Sequence, residues 1–532
     1  MTRLLSACFV VAFIAIAAIF AQDHEHPATP GERLGTVHFE TSCSATVQSA
    51  FDRGVALLHS FWYANAEQAF AEIAKQDPTC AMAQWGMAMA AWGNPLGGTR
   101  TPAIIERGRA AIERAKSIGA KTERERGYIT AVEALYAGEV AQPVRALAYE
   151  RAMEAVVTAN PQDSEAKIFY AIALDAAADP ADQTYAKLLK AATILETAFA
   201  AEPGHPGISH YLIHSYDVPA LAAKGLPAAR RYAAIAPDAP HALHMPSHIF
   251  TRVGAWQDSI TSNQASADAA RKAGSPPEEL HALDYQTYAY LQLAQDEDAR
   301  RVLAETKAIL GKVETAGGYG FAGVYGATAI PARVVLERRA WSEAASLTPQ
   351  TTPFPHADAV TLFARSLAAA RGGRAADARK DAEALTPLVD TLRSRNEAYW
   401  AGQVEIQRKA ALGWTLHAEG KTAEAIAMAR QAADQEDGTE KSPVSPGPIA
   451  PARELLAELL LDAKQPAAAL VEFEKTMTRE PGRYRSIAGA MHAAAASGNA
   501  VKARTFAAEL VALTKSASPG RPEIAEAQAL VR

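Results

Sequence analysis

Cysteine is scarce in this chain. There are 3 in 532 residues, and none stands in a CxxC or CxxCH spacing, so thiolate metal clusters and haem attachment are not indicated. Aromatic residues make up only 7% and strand patterns are few, which argues against a sandwich or barrel. Lys and Arg are scattered among Asp and Glu, and the net charge of −6 is small for this length. Nucleic-acid binding therefore has no electrostatic footprint. Gly-x-Ser-x-Gly, HExxH and Walker motifs are missing. The Gly-rich run around GGYGFAGVYG (residues 316–332) lacks phosphate-loop spacing and reads as a connection into a helix near Pro331. The uncharged stretch from Thr79 to Thr99 contains Gln84, Asn94 and Pro95, which fit a buried helix and a loop better than a membrane span.

The one long apolar run lies at the start. Residues 1–21 carry Arg3, then uncharged apolar residues, then Ala17, Ala18 and Ala21. This is the pattern of an export signal cleaved after Ala21, with a retained signal anchor as the alternative. Residues 22–42, with Pro27, Pro30, Gly31 and Gly35, read as a flexible leader. If cleavage follows Ala21, His24 stands third and a square-planar Cu(II) or Ni(II) chelate at the new amino terminus is conceivable, although a solvated leader is the simpler reading. Export to the periplasm or outside the cell favours a disulfide between the two cysteines that would remain, Cys43 and Cys80, over two free buried thiols. No membrane span is expected in the mature chain.

What the chain has in abundance is Ala and helix periodicity. Hydrophobic residues reach 49%, as expected for close-packed helices built around small side chains. In FDRGVALLHSFWYANAEQAFAEIAKQDP (51–78), Gly54, Ala66, Phe70 and Pro78 keep the intervals at which a small residue admits a neighbouring helix, an Ala and an aromatic pack, and a Pro ends a helix pair. Closing prolines recur at Pro161, Pro203, Pro237 and Pro481, and Ala469 and Phe473 repeat the pattern near the end. On these residues the chain resembles the tetratricopeptide repeat family. The resemblance implies an all-α, right-handed superhelical solenoid of helix pairs whose concave groove binds a protein or peptide. It covers most of 45–515, within an array running from 43 to 440 and C-terminal units from 452 to 532. Between them KSPVSPGPIAP (441–451) forbids helix and reads as a loop over the array or a linker.

Seven of the 14 histidines fall between His205 and His281, inside a His-rich segment spanning 205–288. His210 and His214 form an i, i+4 pair on one helix face, as do His244 and His248. The two pairs are offset by 34 residues, the period of the repeat. Units counted from Pro206, Pro240 and Leu280 place His241 and His281, His244 and Asp284, and His248 and Tyr288 at matching positions. The resemblance implies that these positions line the concave face, with His205 and His59 beside them. Neutral imidazoles from adjacent helices about 8–10 Å apart can converge on one Zn, Cu, Ni or Fe ion. The expected ligands are His210, His214, His244 and His248, with Asp284 as a fifth ligand or an outer partner; Asp217 and His241 are weaker candidates. Polar or peptide-contacting histidines are the alternative, and Pro246 is expected to kink its helix. Glu454 and Glu458 form a carboxylate pair expected at the solvated surface.

HSFW at 59–62, HYLIHSYD at 210–217 and PHALHMPSHIF at 240–250 are similar to segments of a group of exported bacterial tetratricopeptide proteins. A binding module or scaffold with a transition-metal site is the function expected. A metal-dependent hydrolase or oxidase using the same histidines, with Asp284 or Tyr288 assisting, is the alternative.

Overall fold

Small residues at the contacts decide how closely the helices approach. A Cβ at Gly54 would lie 2.8 Å from the Phe70 ring, so the helix Gln48–His59 accepts Tyr63–Gln76 only because that position is bare. A computed structural model of the chain describes residues 32–97, 100–311 and 320–532. Among them there is no strand, and helix follows helix from Gln48 to Val531, each packed on the next. Arg33–Arg532 cluster as one unit. The chain is an all-α solenoid of tetratricopeptide-like helix pairs.

Prolines set the phase of the array. They stand just past the helix ends at Pro78, Pro161, Pro203, Pro237 and Pro481, and in the first turn of Pro206–Tyr216 and Pro240–His244. There their missing N–H costs nothing and their fixed φ suits the first turn. At Pro246 the helix is interrupted: a single residue, Met245, separates Pro240–His244 from Pro246–Arg252. Met245 between them keeps helical angles (φ −52, ψ −37). The third histidine-bearing helix starts at Pro276, ahead of the Leu280 boundary.

The Gly-rich segment also differs from the sequence reading. A helix spans Gly320–Glu337 with Pro331 inside it. A Cβ at Gly326 would come within 2.6 Å of the Leu280 carbonyl oxygen, so glycine lets this helix lie against Pro276–Gln292. Glu454 and Glu458, expected at the surface, are buried. Glu454 pairs with Arg483 at 2.8 Å, and Glu458 pairs with Arg339 at 2.6 Å and Arg371 at 2.9 Å.

The signal, the His24 chelate and the leader up to residue 31 lie outside the described residues. The leader reading does not hold for its last part. Phe39 is fully buried among Phe51, Trp85 and Tyr128, and Arg33 pairs with Asp238 at 3.0 Å. An apolar ring gains more from this aromatic nest than polar flanks lose by ordering. No described helix is long and apolar enough to cross a membrane.

Cys43 and Cys80 are joined, with Cα atoms 4.8 Å apart. The bond closes a loop of 37 residues around the first helix pair. A Cys43→Ser/Cys80→Ser variant is expected to lose about 3 kcal/mol of stability, seen as a lower unfolding midpoint in guanidinium; an unchanged midpoint would show that the loop is held by packing alone.

Candidate metal centre

The helix register brings six histidines into two groups of three. His210 and His214 from Pro206–Tyr216 meet His241, and His244 and His248 meet His281; within each group one ligand atom per residue lies within 4.8 Å of the others. Each triad is thus an i, i+4 pair from one repeat unit and the second-position histidine of the next unit in the count from Pro206, Pro240 and Leu280. The four paired histidines expected to share one ion are divided between two groups, completed by His241, a weaker ligand candidate, and His281, expected only to line the groove. All six are buried.

In the second triad the tautomers are fixed by what surrounds the rings. His248 Nδ1 is 2.9 Å from Asp217 Oδ2. Burial pushes the Asp217 carboxyl up, but Lys441 and Arg252 outweigh it and hold the group well below the usual range. It is therefore an acceptor, and His248 Nδ1 donates. His244 Nδ1 is 2.6 Å from Asn263 Oδ1, and the Asn263 amide is oriented by its Nδ2 donating to the Ser259 carbonyl at 2.8 Å. So His244 Nδ1 also donates. Burial keeps both rings neutral, lowering His248 to about 4 and His244 well below its ordinary value, the latter with help from His281 and His248. Each Nε2 is then a bare lone pair, and the two face each other at 3.0 Å. Without a hydrogen between them this contact is repulsive. Two nitrogens bound to one tetrahedral ion at 2.0–2.1 Å would stand about 3.3 Å apart.

The first triad follows the same plan with one difference. His210 Nδ1 donates to the His59 carbonyl at 2.6 Å, so its Nε2 is bare and lies 3.1 Å from His214 Nε2. His241 Nδ1 faces Glu278 at 3.5 Å, and His241 Nε2 has no hydrogen-bond partner among the described residues; neither has His214 Nδ1. Burial, then His214 and His241, press His210 well below its ordinary value.

The remaining predicted residues lie around these groups. Asp284 is held by Arg333, with Nε at 2.8 Å, and belongs to neither triad. Tyr288 packs on Trp256 and lies 3.2 Å from Arg483, away from both. His59 and His205 each bond one oxygen of Glu165 at 2.9 Å, and His59 also bonds Tyr211; they brace the wall from which the His59 carbonyl reaches His210. Asp217, following the helix Pro206–Tyr216, is an outer partner of His248. Asn263, Glu278, Glu165 and Tyr285 gave no sequence signal, because isolated polar residues in helices carry none.

The Pro-rich segment 441–451 is neither helix nor linker: it lies against the inner face. Tyr285 OH donates to the Pro443 carbonyl at 2.7 Å; Arg333 donates to the Pro448 carbonyl at 3.0 Å and to Ser445 Oγ at 2.8 Å. Lys441 Nζ reaches Asp217 at 3.2 Å.

Among solved structures the chain is similar to a human IFIT1 dimer with m7Gppp-AAAA, at 11% identity, TM-score 0.39, over 81% of this chain and 90% of that one. It is also similar to Naa15/Naa10 bound to HypK-THB, at 11% identity, TM-score 0.21, over 91% and 72%. Neither likeness bears on what this chain binds. No family model matches it, and no curated protein does.

Two outcomes follow from the burial. Arg333→Met is expected to cost about 3–5 kcal/mol, since Asp284 is left as an unpaired buried charge, and to open 441–451 to limited proteolysis. In the metal-free protein the unfolded chain takes up a proton on His248 near its ordinary 6.5, whereas the folded chain resists until about 4. That contribution is intact above the unfolded value and lost as pH falls through the folded one. Denaturation midpoints should drop across this window, and less steeply in His248→Gln.

Proposed function

We propose that this chain is an exported helical binding scaffold that holds a transition metal with the histidines of its central repeats. One observation carries the reading: the bare Nε2 lone pairs of His244 and His248 converge at 3.0 Å, each ring fixed in that tautomer by an oxygen acceptor behind it. Imidazoles that donate through their far nitrogen to a carboxylate, amide or carbonyl oxygen are oriented as metal ligands are. A cation between the lone pairs turns a repulsion into two coordinate bonds. An all-nitrogen set suits Zn, Cu or Ni, with Fe a poorer match in the absence of a carboxylate ligand. Export is supported by residues 1–21 as a signal and by the Cys43–Cys80 bond, which persists in oxidising compartments.

The scaffold's part is to supply rigidity. Helices at fixed separation hold the rings without the chain paying loop entropy at the moment of binding, and segment 441–451 keeps bulk water away. Elemental mass spectrometry on the mature protein, purified without a His tag, should find near-stoichiometric transition metal. His244→Ala/His248→Ala should lower it by about one ion per chain. No metal on the unaltered protein, even after Zn, Cu, Ni and Fe are added back, would remove this reading and leave a scaffold with polar core histidines.

A further inference from the structure

The duplication of the histidine pair has a consequence for how many ions the centre holds. The pairs His210/His214 and His244/His248 recur one repeat apart, and each recruits the histidine that stands second in the repeat unit counted from Pro240 or Leu280, His241 or His281. The two triads are not separate pockets. The rings of His214 and His248 lie 5.8 Å apart by centroid and those of His241 and His244 5.9 Å apart, so a ligand of one group touches a ligand of the other. Resting on the reading above, we infer that the centre is dinuclear: one ion on His210, His214 and His241, a second on His244, His248 and His281, in adjoining ligand shells.

Three features of the molecule lead there. A single ion reaches only three or four ligands at about 2.0–2.1 Å, so one ion leaves one triad's lone pairs facing each other unused. In the first triad His210 Nε2 is such a lone pair, fixed by the His59 carbonyl, and His241 Nε2 is buried beside it with no hydrogen-bond partner among the described residues. Lastly, three imidazoles leave each ion an open position, and the slightly accessible rings are His214, His241 and His281, at 7–8% against 0–2% for the other three. Small ligands therefore enter from that shared side.

The charge around the centre defines what occupies the open positions. Six neutral imidazoles cancel none of the ions' charge. Among the described residues two carboxylates face triad rings. Asp217, bonded to His248 at 2.9 Å, is already paired with Arg252 at 2.8 Å and Lys441 at 3.2 Å, which leaves Glu278, 3.5 Å from His241, as one negative charge against two ions. Two divalent ions in so buried a place need a further anion. A small bridging anion such as hydroxide supplies it, so the ligand class of the pair is small anions.

Copper(II) is the probe, because two neighbouring copper(II) ions bridged by a small anion couple their spins. The full mature chain, loaded with excess copper(II) and desalted, should carry two copper per chain. Its electron paramagnetic resonance signal should integrate to well under two spins, with a half-field transition. His214→Gln and His281→Gln, each removing a rim ligand with little disturbance of the core, should each hold close to one copper with a full, uncoupled one-spin signal; unchanged circular dichroism establishes that they fold. One copper on the unaltered protein overturns the dinuclear inference and leaves the metal reading standing. Two copper ions with a full two-spin signal overturn the adjoining placement. No copper, together with no other metal in the add-back series, overturns the metal reading itself.

Discussion

The constraint on which the centre depends is that a buried polar atom must be satisfied. Ordinary cores meet it by pairing donors with acceptors. Here the outer nitrogens of His210, His244 and His248 are paired with the His59 carbonyl, the Asn263 amide oxygen and the Asp217 carboxylate, and this pairing dictates that their inner nitrogens are acceptors. In the second triad the acceptors of His244 and His248 face each other at 3.0 Å, which neutral imidazoles cannot satisfy among themselves. Protonation would settle it, but burial opposes the charge. A metal ion fits both demands.

The outer residues are shared with the rest of the fold, which ties the centre to the architecture. Asp217 joins His248, Arg252 and Lys441. Through Lys441 and Tyr285 the inner face is sealed by 441–451, and Arg333, itself fully buried with Asp284, fastens that segment further along. The Pro-rich stretch cannot form helix, and for that reason its carbonyls are free to accept from Tyr285 and Arg333. A helical segment would have spent them internally.

The paired histidines were legible because helix periodicity turns an interval of four into a shared face, and a repeat of 34 into a neighbouring helix. Asp284 stands where the register put it, yet its carboxylate goes to Arg333, a residue whose approach depends on a bare Gly326 far along the chain. His241 was read as a weaker ligand and His281 as a groove residue because single histidines carry no pairing signal. Phe39 was read as part of a leader for a similar reason: the aromatic nest that buries it is assembled from Phe51, Trp85 and Tyr128.

The sequence by itself indicated helix pairs over most of the chain, the pairing of Cys43 with Cys80 and the stripe on which the histidines lie, since helix pairs and stripe follow from local spacing and only two cysteines lie outside the apolar run at the start. Only the tertiary structure decided that the histidines group as two triads, which ring nitrogen faces inward, and that 441–451 turns back over the inner face. Those outcomes depend on contacts between residues distant in the chain, whose distances no local period encodes.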